Sequence, residues 1–217
     1  MQPIIYYCFD AYCGWCYGFS AAISKIAEEY KQQLKFEVLS GGMIPAENAK
    51  PISATANYIS NAYKIVEERT GVQFGQDYLW HIFNPDKSDW FPHSEKAAVA
   101  FCIFKEIFPD RQVEFAADLQ YSLHFEGRDL TDNEAYRHLL AKYEIAADDF
   151  YTKLNSEAYQ EKARYEFALC QQLQVTGFPA VLMQVGDTKF YLVARGFTAY
   201  EDVKARVDNI LKEIEAT

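Results

Sequence analysis

Apolar residues run without interruption through Ile4-Ile5-Tyr6-Tyr7-Cys8-Phe9. A short run of this kind, rich in β-branched and aromatic side chains, reads as a buried strand. A helix-compatible stretch follows from about Ala21 to Lys31, and then a second strand, Lys35-Phe36-Glu37-Val38-Leu39-Ser40, which ends at Gly41-Gly42. The order β-α-β implies parallel pairing with a right-handed crossover. From about Ile44 to Asn155 the pattern changes. Apolar residues recur at helical spacing through Tyr58-Ile59-Ala62-Tyr63-Val66, then Ala98-Phe101-Cys102, Leu119-Leu123 and Leu139-Leu140-Tyr143, with no competing strand alternation. The pattern predicts an all-helical block of four or five helices. Thr131 and Glu134 have capping-box spacing at the start of its last helix.

Strand character returns near the end. Pro179 to Val185 and Lys189 to Ala194 flank Gly186-Asp187-Thr188, a short turn of hairpin type. Thr198 and Glu201 then read as the cap of a final amphipathic helix carrying Val203, Val207, Ile210 and Ile214. With the helical block removed, a small three-layer α/β domain remains. The expected organisation is therefore a discontinuous domain over 1–43 and 156–217, with a helical insertion domain over 44–155. There is no internal repeat and no low-complexity segment.

The candidate chemistry lies where the first strand gives way to the first helix. Asp10-Ala11-Tyr12-Cys13-Gly14-Trp15-Cys16-Tyr17-Gly18-Phe19 contains a Cys-x-x-Cys pair. At the mouth of a strand-to-helix turn, both sulfurs meet the unpaired N–H groups and positive dipole end of the helix, which favour a thiolate. Dithiol–disulfide exchange needs such an attacking sulfur and a second sulfur within reach of it. Asp10 has two readings, as a cap of the first helix or as a proton relay for the exchanging sulfurs. Gly14 either allows close backbone approach or serves an ordinary turn. Trp15, Tyr12, Tyr17 and Phe19 divide between an apolar docking rim and core, with Tyr17 and Phe19 at core spacing. Thr176-Gly177-Phe178-Pro179 precedes the third strand, where a proline breaks no ladder bond. It is either a simple strand entry or a cis-proline loop whose free backbone groups accept an extended peptide.

Composition narrows the partners. The chain has 217 residues, 50% hydrophobic and 24% charged, enough for a full core, with a net charge of −10. That charge, with no basic cluster, argues against nucleic acid and anionic lipid surfaces. No apolar run reaches the length of a membrane span. Met1-Gln2-Pro3 leads into the first strand without signal-peptide character, so the expected location is cytoplasmic, where structural disulfides are disfavoured. Cys8, Cys102 and Cys170 are then read as buried small hydrophobes. His81, His93, His124 and His138 lack metal-ligand spacing, and no second cysteine pair exists to complete a zinc site around Cys13 and Cys16.

Asp-x-x-Cys-x-Trp-Cys near the N-terminus, a helical insertion and Thr-Gly-Phe-Pro before a hairpin together resemble the DsbA-like thioredoxin-fold oxidoreductases, and within them the FrnE-type, protein-disulfide-isomerase branch. The resemblance covers essentially the whole chain. It implies an α/β thioredoxin fold with an all-helical insertion, and a thiol-disulfide oxidoreductase of reductase or isomerase type. It implies Cys13 as nucleophile, Cys16 as resolving thiol and Pro179 as the cis-proline opposite them. Gly14, Trp15, Gly177 and Phe178 form the candidate substrate-binding set, and the partners are protein thiols and disulfides or glutathione. No cofactor is implied beyond glutathione as a co-substrate. One departure matters: the periplasmic oxidase prototype has Pro-His between its cysteines, and this chain has Gly14-Trp15. Trp15 carries no charge, so oxidase character is not implied. The alternative is a glutathione-dependent enzyme like the kappa-type glutathione transferases and 2-hydroxychromene-2-carboxylate isomerases. They share the inserted-helix fold but typically have Ser where Cys13 stands. A third reading is a non-catalytic binding or chaperone module, which two intact cysteines disfavour.

Overall fold

A computed structural model describes residues 2–216. Four strands form one mixed sheet in the order β2-β1-β3-β4, with β1 at Ile4–Phe9, β2 at Lys35–Ser40, β3 at Ala180–Gln184 and β4 at Phe190–Arg195. β1 and β2 run parallel, joined through helix α1 (Gly14–Tyr30). β3 is antiparallel to β1 and β4 is antiparallel to β3. The chain between β2 and β3 forms helices α2 (Ser53–Thr70), α3 (Gln76–Phe83), α4 (Ser94–Ile107), α5 (Gln112–His124), α6 (Arg137–Lys142), α7 (Ala147–Leu154) and α8 (Glu157–Gln172), with short 3-10 turns between several of them. Helix α9 (Tyr200–Glu215) closes the described chain.

Several local expectations differ from what the fold adopts. α1 begins at Gly14, a full turn and more before Ala21: the Cys13 side chain caps it, and Tyr17 and Phe19 pack against the Phe74 and Tyr7 rings. The helical region also includes α3 and α7, whose eight residues each are too short for their periodicity to stand out. Neither predicted capping box forms. Asp132, not Thr131, caps the turn at Asn133–Tyr136 by accepting from the Glu134 N–H, and Thr131 donates to Asp129 instead. Ala199 stands at the N-cap of α9 without a side-chain cap, while Thr198 donates to the Gly196 carbonyl.

β1 is covered on both faces, which explains its uninterrupted apolar sequence. Ile5, Tyr7 and Phe9 join the large core that includes α1, α4, α5 and α9. Cys8 faces the other way, into a smaller cluster with Leu39, Ala180, Leu182 and Cys170 of α8. The thiol of Cys170 donates to the Ser40 carbonyl at 3.5 Å, and its pKa is pushed up by its contact with Cys8 and by burial. Burial also pushes up the Cys102 thiol on α4. Both behave as packing groups held in the thiol form.

β2 is an edge strand, and its free backbone groups are covered by polar side chains from the helices. Gln112 accepts from the Val38 N–H at 2.8 Å, Glu166 accepts from the Ser40 N–H at 2.8 Å, and Lys105 donates to the Val38 carbonyl at 2.8 Å. Lys105 also pairs with Glu166 at 2.9 Å and with Glu37. Burial works against its charge, but Glu166 and Glu37 together raise its pKa above the ordinary lysine value. Helices α4 and α8 are thus pinned to the sheet edge through one lysine.

Removing that cation leaves a carboxylate buried without compensation. Lys105→Met is expected to cost about 3–5 kcal/mol, seen as a lower midpoint in urea unfolding. The double variant Lys105→Met/Glu166→Gln is expected to recover part of the loss.

Candidate active site

The Cys-x-x-Cys pair sits where β1 ends and α1 begins. Cys13 is the N-cap of α1: its backbone is extended (φ −84°, ψ 107°), and its carbonyl accepts the first helical bond from the Tyr17 N–H at 3.0 Å. The N-cap position aims the side chain back at the unpaired N–H groups of the first turn. The Cys16 N–H donates to Cys13 Sγ at 3.2 Å. Cys16 lies one turn further in and is wholly buried, whereas Cys13 retains 6% exposure, the more accessible of the pair. Burial pushes the Cys16 thiol well above its ordinary range, and the neighbouring Cys13 sulfur and the Asp10 carboxylate add to the rise. All five cysteines are free.

The second piece of the site comes from the start of β3. The Phe178–Pro179 peptide bond is cis, and the Cys13 thiol donates to the Phe178 carbonyl at 3.6 Å. The loop is held from two directions. Arg195 donates to Thr176 Oγ1 at 2.7 Å, and the Gly196 N–H donates to the Pro179 carbonyl at 2.7 Å. The Phe178 ring covers Gly41, where an added Cβ would lie 2.0 Å from the ring. A glycine after β2 is therefore what lets the loop close over the cysteines.

Asp10 does not cap α1; Cys13 does. Asp10 is nearly fully buried, and its carboxylate accepts from the Tyr12 N–H at 3.0 Å and the Met43 N–H at 2.7 Å. It therefore clamps the loop before the cysteines to the loop after β2. Burial raises its pKa, against the lowering effect of these backbone donors, so the carboxyl stands beside Cys16 with an increased appetite for a proton.

The remaining candidates divide. Trp15 is half-buried, with its ring 6.3 Å from Phe197 in the loop after β4. Tyr12 is half-buried as well, while Tyr17 and Phe19 are core. Gly14 does not serve a forced close approach: an added Cβ would sit 3.4 Å from the Phe74 ring, an ordinary contact. Gly177 opens onto free space, with nothing within 4 Å of an added Cβ. Phe74, Phe197 and Gln120 were not singled out by the sequence, because each arrives from a distant element with no motif around it; His124, read from the sequence only as lacking ligand spacing, is a core histidine. Gln120 and His124 share the face of α5 that packs under α1, and their polar atoms are buried without hydrogen-bond partners. His124 stacks on Tyr17 with centroids 5.1 Å apart and meets Phe74 and Tyr78 edge-on. Among the described residues, no group of three or more His, Cys, Asp or Glu is placed to hold a metal ion. No described helix is long and apolar enough to cross a membrane.

A family model for the DSBA-like thioredoxin domain matches residues 4–207. The chain belongs to this family. Among solved structures, this DSBA-like protein is similar to a candidate protein disulfide isomerase from Nitrosomonas europaea, with a TM-score of 0.82 and 22% identity over 98% of this chain and 99% of that one. It is also similar to the cytosolic disulfide reductase DsbM from Pseudomonas aeruginosa, with a TM-score of 0.76 and 22% identity over 96% and 98% of the two chains. A third likeness is to a 2-hydroxychromene-2-carboxylate isomerase, with a TM-score of 0.64 and 14% identity over 97% and 95%. At these identities the likeness carries the fold. No curated protein matches the DSBA-like chain closely enough to count as a relative.

Burial pushes the His124 pKa down to about 3, so the imidazole of this DSBA-like protein is neutral at physiological pH. The unfolded chain binds a proton at His124 below about 6.5 and the folded chain does not. Stability contributed by the neutral ring is thus present above about pH 6.5 and falls as pH drops toward 3, with a slope approaching 1.4 kcal/mol per pH unit (order of magnitude). His124→Leu is expected to flatten that slope between pH 6 and 4, measured by urea unfolding at each pH.

Proposed function

We propose that this protein is a cytoplasmic thiol-disulfide oxidoreductase of reductase or isomerase type, working through Cys13-Gly14-Trp15-Cys16. The observation that carries the reading is the setting of Cys13: its sulfur accepts a helix N-terminal N–H at 3.2 Å and faces the Phe178 carbonyl at 3.6 Å. Donors of this kind stabilise a thiolate, and the exposed edge of the Phe178 loop suits an extended peptide or the peptide-like backbone of glutathione. Trp15 and Phe197 would flank the scissile disulfide on an apolar rim.

In the reducing direction the Cys13 thiolate attacks one sulfur of the substrate disulfide, forming a mixed disulfide and releasing the first substrate thiolate. Cys16 then gives up its proton to Asp10, and its sulfur attacks Cys13 Sγ. The Cys13–substrate bond breaks, and the second substrate thiolate leaves and takes up a proton. The substrate gains two electrons and the protein is left with a Cys13–Cys16 disulfide, which external thiols such as glutathione reduce. The raised pKa of Cys16 keeps it protonated until the mixed disulfide brings a target within reach. A glutathione-dependent isomerase or transferase is the alternative. The resolving thiol next to Cys13 supports exchange over that reading, since neither of those reactions needs one.

Cys16→Ser is expected to accumulate a Cys13 mixed disulfide with glutathione or substrate, seen by intact mass after acid quenching. Adducts trapped in Cys13→Ser alone would reverse the two roles.

The redox potential follows from the residues between the cysteines. Trp15 supplies no charge to the reduced form, so thiolate stabilisation rests on the helix N–H groups. The expected value lies nearer about −270 mV than about −120 mV. Equilibration against glutathione buffers, with alkylation and mass readout, measures it. A value more positive than about −170 mV would move the protein to the oxidase side.

A further inference from the structure

The loop that faces Cys13 is flanked by a cation that the exchange scheme leaves unused. Arg195 ends β4 opposite Ala180, the first residue of β3 after Thr176-Gly177-Phe178-Pro179. Its Nη2 donates to Thr176 Oγ1 at 2.7 Å, and both residues are exposed. Arg111, Arg128, Arg137 and Arg164 each pair with a glutamate. Arg195 has no carboxylate partner among the described residues, although the chain has 31 acidic side chains and only 21 Lys and Arg. One of its five N–H donors is spent on the threonine, which fixes the fork beside the loop. Holding one hydroxyl needs no charge.

The register of an extended substrate brings a carboxylate to that fork. In the docking mode proposed above, the backbone of the substrate cysteine lies against Phe178, whose carbonyl is 3.6 Å from Cys13 Sγ. The next substrate residue then runs along Gly177, where nothing stands within 4 Å of an added Cβ. The group after it meets Thr176, about 7 Å along an extended chain, and Thr176 is where the guanidinium is held. Glutathione has one residue on each side of its cysteine, and each of those residues carries a carboxylate. Either strand direction therefore delivers a carboxylate to Arg195. A protein substrate has an uncharged peptide group at the same place. A guanidinium offers a carboxylate two parallel N–H bonds, and local positive charge offsets the repulsion that a net charge of −10 exerts on an anionic substrate.

We propose that Arg195, held by Thr176, is a specificity-determining residue whose guanidinium binds a terminal carboxylate of glutathione in the disulfide that Cys13 attacks. The inference rests on the reading of Cys13 and Cys16 as an exchange pair. In the step concerned, the Cys13 thiolate attacks one sulfur of glutathione disulfide. A bond forms between Cys13 Sγ and that sulfur, the glutathione S–S bond breaks, and the second glutathione leaves as a thiolate. Arg195 keeps its protons and its charge throughout. Its place at the surface, where solvent and salt screen a single ion pair, limits the expected effect to a factor of about five.

Reduced protein is mixed with excess glutathione disulfide or, separately, with bis(2-hydroxyethyl) disulfide, which carries no charge, then acid-quenched and read by intact mass. Arg195→Gln is expected to lower the second-order rate constant for glutathione disulfide about fivefold and to leave that for the uncharged disulfide within about twofold of wild type. The ratio of wild type to variant on glutathione disulfide should shrink as salt rises from about 0.1 M to about 1 M. Arg195→Lys, which keeps the charge and loses the fork, is expected to fall between the two, and it carries the test if the glutamine variant does not fold. Equal slowing toward both disulfides, the mark of a loop merely loosened, would overturn the proposal. Equal rates of variant and wild type on glutathione disulfide would overturn it too. A wild-type protein that reacts with neither disulfide would instead refute the exchange reading on which it rests.

Discussion

The antiparallel pairing of β1 with β3 is the constraint on which the site depends. In that register Cys8 stands opposite Ala180, so the C-terminal end of β1 and the N-terminal end of β3 lie at the same edge of the sheet. The cysteines follow the first and the Phe178–Pro179 peptide precedes the second. A parallel pairing would have put the two loops at opposite ends of the sheet. Because the pairing is antiparallel, the Cys13 sulfur and the Phe178 carbonyl meet at 3.6 Å although 165 residues separate them.

Around that edge the chain divides the work by depth. Cys13 stands at the N-cap of α1, where its sulfur accepts the Cys16 N–H. Cys16, Asp10, Tyr7 and Gln120 lie inside, where burial holds Cys16 in the thiol form and raises the Asp10 carboxyl. The pair thus offers one sulfur at the helix end and one fully desolvated behind it. The helices inserted between β2 and β3 contribute to both depths. Met43, in the loop that opens this segment, ties down Asp10, α5 supplies Gln120 and His124 beneath α1, and Phe74 covers the start of α1.

The same helices solve a problem that the sheet creates. β2 exposes an edge, and Gln112, Lys105 and Glu166 bond its free backbone groups while tying α4, α5 and α8 to the sheet. Part of what looks like an insertion is therefore a cover for the sheet edge.

The sequence by itself determined the strands, the long helices, the place of the Cys-x-x-Cys pair and the proline loop. These depend on local signals: an unbroken β-rich run from Ile4 to Phe9, helical periodicity in the longer segments, and a hairpin turn at Gly186-Asp187-Thr188. Short elements such as α3 and α7 were not legible, because eight residues do not establish a period against background. Helix starts were misjudged at Gly14, where Cys13 supplies the cap, and at Ala199, which offers no side-chain cap. Only the tertiary structure decided that Asp10 clamps two loops instead of capping α1, that Gly41 makes room for Phe178, and that His124 stacks on Tyr17 beneath α1. Each of these comes from residues brought together by the sheet register and by the packing of α5 on α1. No local pattern encodes such contacts, because they depend on how far the intervening chain folds back.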